Sequence, residues 1–337
     1  MMARALWTVA EGRCEIREEA LPPRGPDQAL VRCVASGISR GTERLVLMGR
    51  VPDSQHHAMR CPLQAGDFPF PVKYGYSAVG VVEDGPDSLP GRRVFCLHPH
   101  QDRFLAPAAM CVPVPDAVPD ARAVLAANME TAVNILWDAQ PLVGERTLVI
   151  GAGVVGLLVA ALLARLPGTE VVVCDVDARR RAVAEALGAR FAAPEDAPGG
   201  RDLVIHASAD PAGLRRALDL CGFEARIVEA SWFGTREAAL PLGEAFHAKR
   251  LRIVSTQVGA VAPAMRGRRT YGERMALALS LLADDRLDAL VGPATAFDDL
   301  AEAMPRLLNP PPGEVPPLCP LVTYDGPAAH PTGSGAG

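Results

Sequence analysis

The sequence has no run of about 20 apolar residues, the length a helix needs to cross a bilayer. Its best apolar run, Val154 to Leu163, is shorter and opens on glycines, so no membrane partner is expected. Met1 to Arg13 lacks both a long apolar core and a small-residue cleavage site, which argues against a signal peptide. The cysteines, at 14, 33, 61, 96, 111, 174, 221 and 319, include no CxxC pair. Scattered cysteines in a chain of this size point to reduced thiols and a cytoplasmic setting, not to a disulfide framework. Positive charge is not in excess: 34 Lys and Arg against 39 Asp and Glu leave a net charge of −5. Nucleic acid is therefore not expected as a partner. No internal repeat is found. What remains is ordinary for a soluble globular chain, with 49% apolar and 22% charged residues over 337 positions, room for two domains.

The order of local signals divides the chain. Up to about residue 125 it reads as β-rich. Ala29 to Val34, Ala78 to Glu83 and Arg93 to Leu97 are β-prone runs between Pro, Gly and Asp turns. Ala121 to Ala139 then has apolar residues at helical spacing. From Arg146 onward strands and helices alternate. The strands are Arg146 to Ile150, Glu170 to Cys174, Leu203 to His206, Ala225 to Glu229 and Arg252 to Thr256. Helical patterns lie at Val154 to Arg165, Ala178 to Leu187, Pro211 to Leu220 and Gly272 to Leu282. Such alternation implies a parallel sheet covered on both faces. After about residue 290 prolines break the pattern, and a final strand is expected at Pro320 to Tyr324. Pro327 to Gly337 reads as a disordered tail.

Gly151-Ala152-Gly153-Val154-Val155-Gly156 is a GxGxxG that follows an apolar strand and opens an apolar helix. Gly151 permits the tight turn, Gly153 the approach of a pyrophosphate, and Gly156 close packing of helix on strand. The free N–H groups at the start of that helix suit phosphate. The next strand ends in Asp175, placed to accept hydrogen bonds from the ribose hydroxyls of NAD and to repel the 2′-phosphate of NADP. Arg179 and Arg180 follow it, and either can be read as reaching a 2′-phosphate, which keeps NADP as the alternative. His206-Ala207-Ser208 and Ser231-Trp232-Phe233 come at strand ends, where cofactors line the carboxyl edge of a parallel sheet, and are expected to contact ribose or nicotinamide.

A β-rich first part, a Rossmann second part and a short return resemble the medium-chain dehydrogenase/reductase superfamily. The marks are Gly37, Gly41-Thr42-Glu43, Gly75-Tyr76-Ser77-Ala78-Val79-Gly80, the Glu130-Thr131-Ala132 helix start, and the glycine motif followed by Asp175. The resemblance covers about residues 3 to 325. It implies an N-terminal β-rich GroES-like catalytic domain (1–125), a doubly wound Rossmann NAD-binding domain (126–288), a return to the catalytic domain (289–325) and the tail (326–337). It also implies a homodimer. Zinc members carry ligands where this chain has Ser39, Tyr76 and Ala127, and none of these is a good zinc donor. The structural zinc lobe is also missing, since only Cys96 and Cys111 lie in its region. No metal is expected. The Ser39-Arg40-Gly41-Thr42-Glu43 segment resembles a zinc-free branch related to bacteriochlorophyllide 3-hydroxyethyl dehydrogenases.

Without a Lewis acid, a side chain must handle the proton of the redox step. Tyr76 stands in the slot of a zinc-ligand His and is either a hydrogen-bond donor to the substrate oxygen or a packing aromatic, with Tyr74 its rival. Ser39 and Thr42 belong to the loop that faces nicotinamide in relatives. His98 and His100 share one short turn and titrate near neutrality. Glu130, next to Asn128, is either a general base or a first-turn acid. Arg40 either holds an anion or pairs with Glu43. Gln257, Arg266, Arg268 and Arg269, with Arg274 beyond, either bind a phosphorylated or carboxylated small-molecule substrate or form a solvated face. The first expectation is a zinc-independent, NAD-dependent oxidoreductase interconverting a secondary alcohol and a ketone. An NADPH-dependent enoyl or quinone reductase and a non-catalytic dinucleotide sensor are the alternatives.

Overall fold

The computed structural model describes residues 1–86 and 88–324. The tail expected at 326–337 lies outside the described residues. Three sheets organise the rest. The central one is six-stranded and wholly parallel, in the spatial order Arg190–Ala192, Glu170–Cys174, Arg146–Ile150, Arg201–His206, Cys221–Glu229, Arg252–Ser255. Numbered along the chain from Arg146, that order is 3-2-1-4-5-6, the doubly wound arrangement the alternating pattern predicts. Its strands are near-continuous Val, Ile and Leu because helices cover both faces. The order reverses between Arg146–Ile150 and Arg201–His206, which opens a crevice beyond their carboxyl ends.

The β-rich part holds the other two sheets. One is a seven-stranded sheet containing Gln28–Gly37, Ala78–Asp84 and Arg93–Cys96. The strand Cys319–Thr323 joins it antiparallel to Gln28–Gly37, so the last described strand packs into the β-rich part. Gly37 sits at that seam, where a Cβ would lie 3.0 Å from Val124 and 3.1 Å from the Cys319 sulfur. The other is a four-stranded antiparallel sheet built on the hairpin Met2–Ala10 and Arg13–Ala20. Sequence reading passes over that hairpin because Arg13–Ala20 is charged and half-exposed, and its strand character comes from pairing rather than from apolar alternation.

Helix Ala126–Ala139 bridges the two parts. Its buried residues share one core with Phe95 of the seven-stranded sheet and with Val149 and Leu157 of the parallel sheet and its covering helix. The helix expected over Ala121 to Ala139 is split, with Asp120–Ala123 as a separate turn. Arg122 on that turn is buried and makes a bidentate pair with Asp288, at 2.7 and 2.8 Å, which ties the entry and exit of the parallel sheet together. All eight cysteines are buried and free. Among the described residues no helix is long and apolar enough to cross a membrane.

Candidate active site

The glycine turn has the shape its motif requires. Gly151 has φ of 110°, and a Cβ there would lie 2.8 Å from the Ala207 carbonyl carbon and the Ser208 nitrogen. A Cβ on Gly156 would lie 2.0 Å from the Gly151 oxygen, so only glycine lets helix Val154–Leu163 sit this close to the strand. At Gly153 a Cβ would meet nothing within 4 Å. That open space lies at the start of the helix, where no side chain caps the amides of Val154 and Val155. A phosphate therefore has both room and free donors. Asp175 is held beside the turn: its carboxylate accepts the Ala152 N–H at 2.6 Å and the Asp177 N–H at 2.8 Å.

The arginines after Asp175 are already engaged. Arg179 pairs with Asp177 at 2.6 Å and donates to the Gly313 carbonyl. Arg180, expected as a cofactor contact, is buried, with its guanidinium donating to the Pro316 carbonyl and lying 3.8 Å from Asp177. His206 is also not a direct contact. Its ring is wholly buried and turned onto Glu229, while Ser208 beyond it is exposed. Ala207 and Ser231 remain half-buried at the crevice. Trp232 crosses it to pack, with Tyr76, against the apolar cluster of Val46, Phe68 and Tyr74.

On the catalytic side, Ser39 precedes helix Arg40–Leu47. The hydroxyls of Ser39 and Thr42 lie beside the Tyr76 phenol. Asn128, from the bridging helix, donates to the Ser39 hydroxyl at 3.2 Å. Behind this group is a buried chain that the sequence reading missed. Glu43 accepts the Ser39 N–H at 2.7 Å through one oxygen and faces His100 Nε2 at 3.0 Å through the other. His100 Nδ1 is 2.7 Å from the Ser36 hydroxyl, which is 2.8 Å from the Tyr324 hydroxyl. Gly75, with φ of 132°, makes room for the imidazole: a Cβ would lie 3.0 Å from its Cδ2. Burial first, and then the Glu43 charge, push the Tyr76 phenol well above its ordinary value, so it is a proton donor and not a base at neutral pH.

Other candidates fall away from the crevice. His98 is buried, stacked on Phe104 with ring centroids 3.8 Å apart, and its Nδ1–H donates to the Pro99 carbonyl. Burial lowers its pKa to about 3, so it stays neutral and is a packing group. Glu130 is no general base in the crevice, because it is buried in an ion pair with Arg274 at 3.0 Å. Burial raises its carboxyl and Arg274 opposes that rise. Tyr74 is a buried packing aromatic, edge-on to Tyr76 at 6.0 Å. Arg40 does not pair with Glu43; it donates to the Leu307 and Leu308 carbonyls and makes no ion pair among the described residues. Burial and the charges of Arg180 and Arg44 lower it to about 10, the setting of a cation that suits an anion. The loop after Gln257 is mostly solvated. Gln257 accepts the Gly259 N–H, Arg266 donates to the Val261 carbonyl, Arg269 faces Glu273 at 3.9 Å and Arg268 is exposed.

No protein-family model matches the chain. Over 183 residues it is 31% identical to the 2-desacetyl-2-hydroxyethyl bacteriochlorophyllide A dehydrogenase of Cereibacter sphaeroides, covering 48% of this chain and 52% of that protein. The chain thus spans about half the length of that relative. Its fold extends much further. It matches a short chain alcohol dehydrogenase from Escherichia coli CFT073, solved with NADH, with a TM-score of 0.76 at 18% identity, covering 96% and 99% of the two chains. L-idonate 5-dehydrogenase of Escherichia coli K-12 gives 0.78 at 15% identity, covering 96% and 99%. At 18% and 15% identity these two structures show that the chain has the fold of these dehydrogenases. Among the described residues, no three His, Cys, Asp or Glu side chains come together in a metal-binding group. The sequence offered Glu43 as a family mark and as a partner for Arg40, not as a partner for His100; its place in the first turn of helix Arg40–Leu47 was the available signal.

Proposed function

We propose that the chain is a zinc-independent, NAD-dependent oxidoreductase that interconverts a secondary alcohol and a ketone. The observation that carries this reading is the composition of the catalytic side. By the family resemblance, Ser39, Tyr76 and Ala127 stand where zinc members carry ligands, and the Tyr76 phenol sits beside two hydroxyls near the buried Glu43–His100 pair. Bound NAD supplies the hydride acceptor. Gly151, Gly153 and the amides of Val154 and Val155 would hold its pyrophosphate, with Arg40 as the cation nearby. Asp175 would take the ribose, and Arg179 and Arg180, which follow it, are engaged by Asp177 and by backbone carbonyls. Tyr76 donates a hydrogen bond to the reacting oxygen. Ser39 and Thr42 hold the phenol, and the Glu43–His100 pair gives the released proton a buried acceptor close by.

The bacteriochlorophyllide dehydrogenase relative supports an alcohol on a small molecule as substrate. Strand Arg252–Ser255 is an exposed edge with Ile253 on the surface, which suits pairing with a second copy in a homodimer. Buried free thiols suit the reducing cytoplasm. We take 1–125 with 289–325 as the catalytic domain and 126–288 as the NAD domain.

The test is a panel of secondary alcohols with NAD and ketones with NADH, beside enones with NADPH, on protein assayed for bound metal. Turnover of an alcohol with NAD and far less than one zinc per chain is the expected result. Stoichiometric zinc, or turnover confined to enones with NADPH, would overturn the reading.

A further inference from the structure

At the carboxyl edge of the parallel sheet, against the glycine turn, lies a second constellation. His206 and Glu229 end neighbouring strands and stand opposite one another in the register. The His206 ring is completely buried, with Nδ1 2.7 Å from Glu229 Oε2 and Nε2 2.7 Å from the Ser208 hydroxyl. A carboxylate can only accept, so Nδ1 carries the proton and the Nε2 lone pair faces the serine hydroxyl. The other Glu229 oxygen accepts the Ser231 N–H at 2.7 Å. The Ser231 hydroxyl accepts the Ala209 N–H at 3.0 Å. Base and carboxylate are thus fixed on two adjacent strand ends, and Ser208 is the one exposed member.

The surroundings keep that arrangement and add donors. A Cβ on Gly213 would lie 2.7 Å from the Ser208 hydroxyl and 2.9 Å from His206 Nε2, so hydroxyl and imidazole fill the space a side chain would need. Gly213 lies in the first turn of helix Pro211–Leu220, where Asp210 caps the Ala212 N–H at 2.8 Å and donates its own N–H to the Ser208 hydroxyl at 3.3 Å. Arg236 donates to the Ala209 carbonyl, which brings a cation next to the serine. Nucleophile, base, orienting carboxylate and, in Arg236, a cation near the serine are parts of a serine acyl-transfer site, recognised by geometry and not by fold.

We infer that Ser208, His206 and Glu229 form an acyl-transfer site for carboxylic esters with good leaving groups. The Ser208 oxygen bonds to the ester carbonyl carbon while its proton moves to His206 Nε2. The bond from that carbon to the leaving oxygen then breaks, and the leaving alkoxide takes the proton from Nε2. Water repeats the sequence on the acyl-serine, releasing the carboxylic acid and restoring the hydroxyl. This activity is independent of the redox reading and needs no dinucleotide.

The test uses the purified full chain with p-nitrophenyl acetate, followed by nitrophenolate release, and with a fluorophosphonate probe, followed by intact mass and peptide mapping. About one label per chain is expected, on Ser208. Ser208→Ala should abolish it and slow hydrolysis by at least about 100-fold. His206→Gln should do the same, but it disturbs a buried network. Ser208→Ala changes only an exposed hydroxyl and therefore decides the matter. Absence of label on Ser208 in the native chain, or hydrolysis by Ser208→Ala within twofold of native, would overturn the proposal.

Discussion

Replacing Glu130 by Gln removes one charge from a pair in which neither partner reaches water: the Arg274 and Glu130 side chains are 2% and 6% exposed. Arg274 donates to Glu130 at 3.0 Å, to Asn134 at 2.7 Å, and to the Val258 and Ala260 carbonyls at 2.6 and 3.2 Å. Glutamine keeps an oxygen acceptor and the other three bonds survive, but the guanidinium loses its counter-charge. Breaking a buried pair from one side costs about 3–5 kcal/mol. The surviving acceptors put this case near the lower end, about 3 kcal/mol. At about 2–4 °C per kcal/mol for a domain of this size, Tm should fall by about 6–12 °C. Thermal and urea unfolding give the stability, and NAD-linked turnover at 25 °C should stay within a few-fold of native. Glu130→Leu combined with Arg274→Met should lie closer to native than either single change, because no charge is left stranded. A Tm shift below about 2 °C together with a loss of turnover of about 100-fold or more would refute the reasoning and return Glu130 to the role of general base.

Three further outcomes are expected. Tyr76→Phe should lower kcat by at least about 100-fold while NADH affinity, read by fluorescence, stays nearly unchanged; activity within a few-fold of native would make Tyr76 a packing residue. Asp175→Ser should narrow the preference for NADH over NADPH in a paired titration, and equal binding of both by the native chain would show that Asp175 does not select. His98, with a pKa of about 3 in the fold against about 6.5 unfolded, takes up a proton on unfolding between those values. Its contribution to stability is therefore present above about pH 6.5 and is lost as pH falls toward 3. Urea midpoints at pH 7 and pH 4 should differ less in His98→Gln than in the native chain, and an unchanged difference would count against the buried neutral imidazole.

Much of the fold and half of the site were legible along the chain. The glycine turn, the strand before it and Asp175 are signals written within about thirty residues, where backbone sterics and strand spacing act locally. The rest depends on pairings between distant segments. Glu130 reads as a helix-start acid until Arg274, 144 residues on, is seen to neutralise it. His98 and His100 are two residues apart and look alike in sequence, yet one stacks on Phe104 while the other meets Glu43 and Ser36. Periodicity and the glycine motif decided that this chain would form a doubly wound parallel sheet with a mostly antiparallel companion. Only the tertiary structure decided which ionisable groups are buried, and against what. Burial and the identity of a neighbour's charge set protonation, and neither is a property of a residue taken alone.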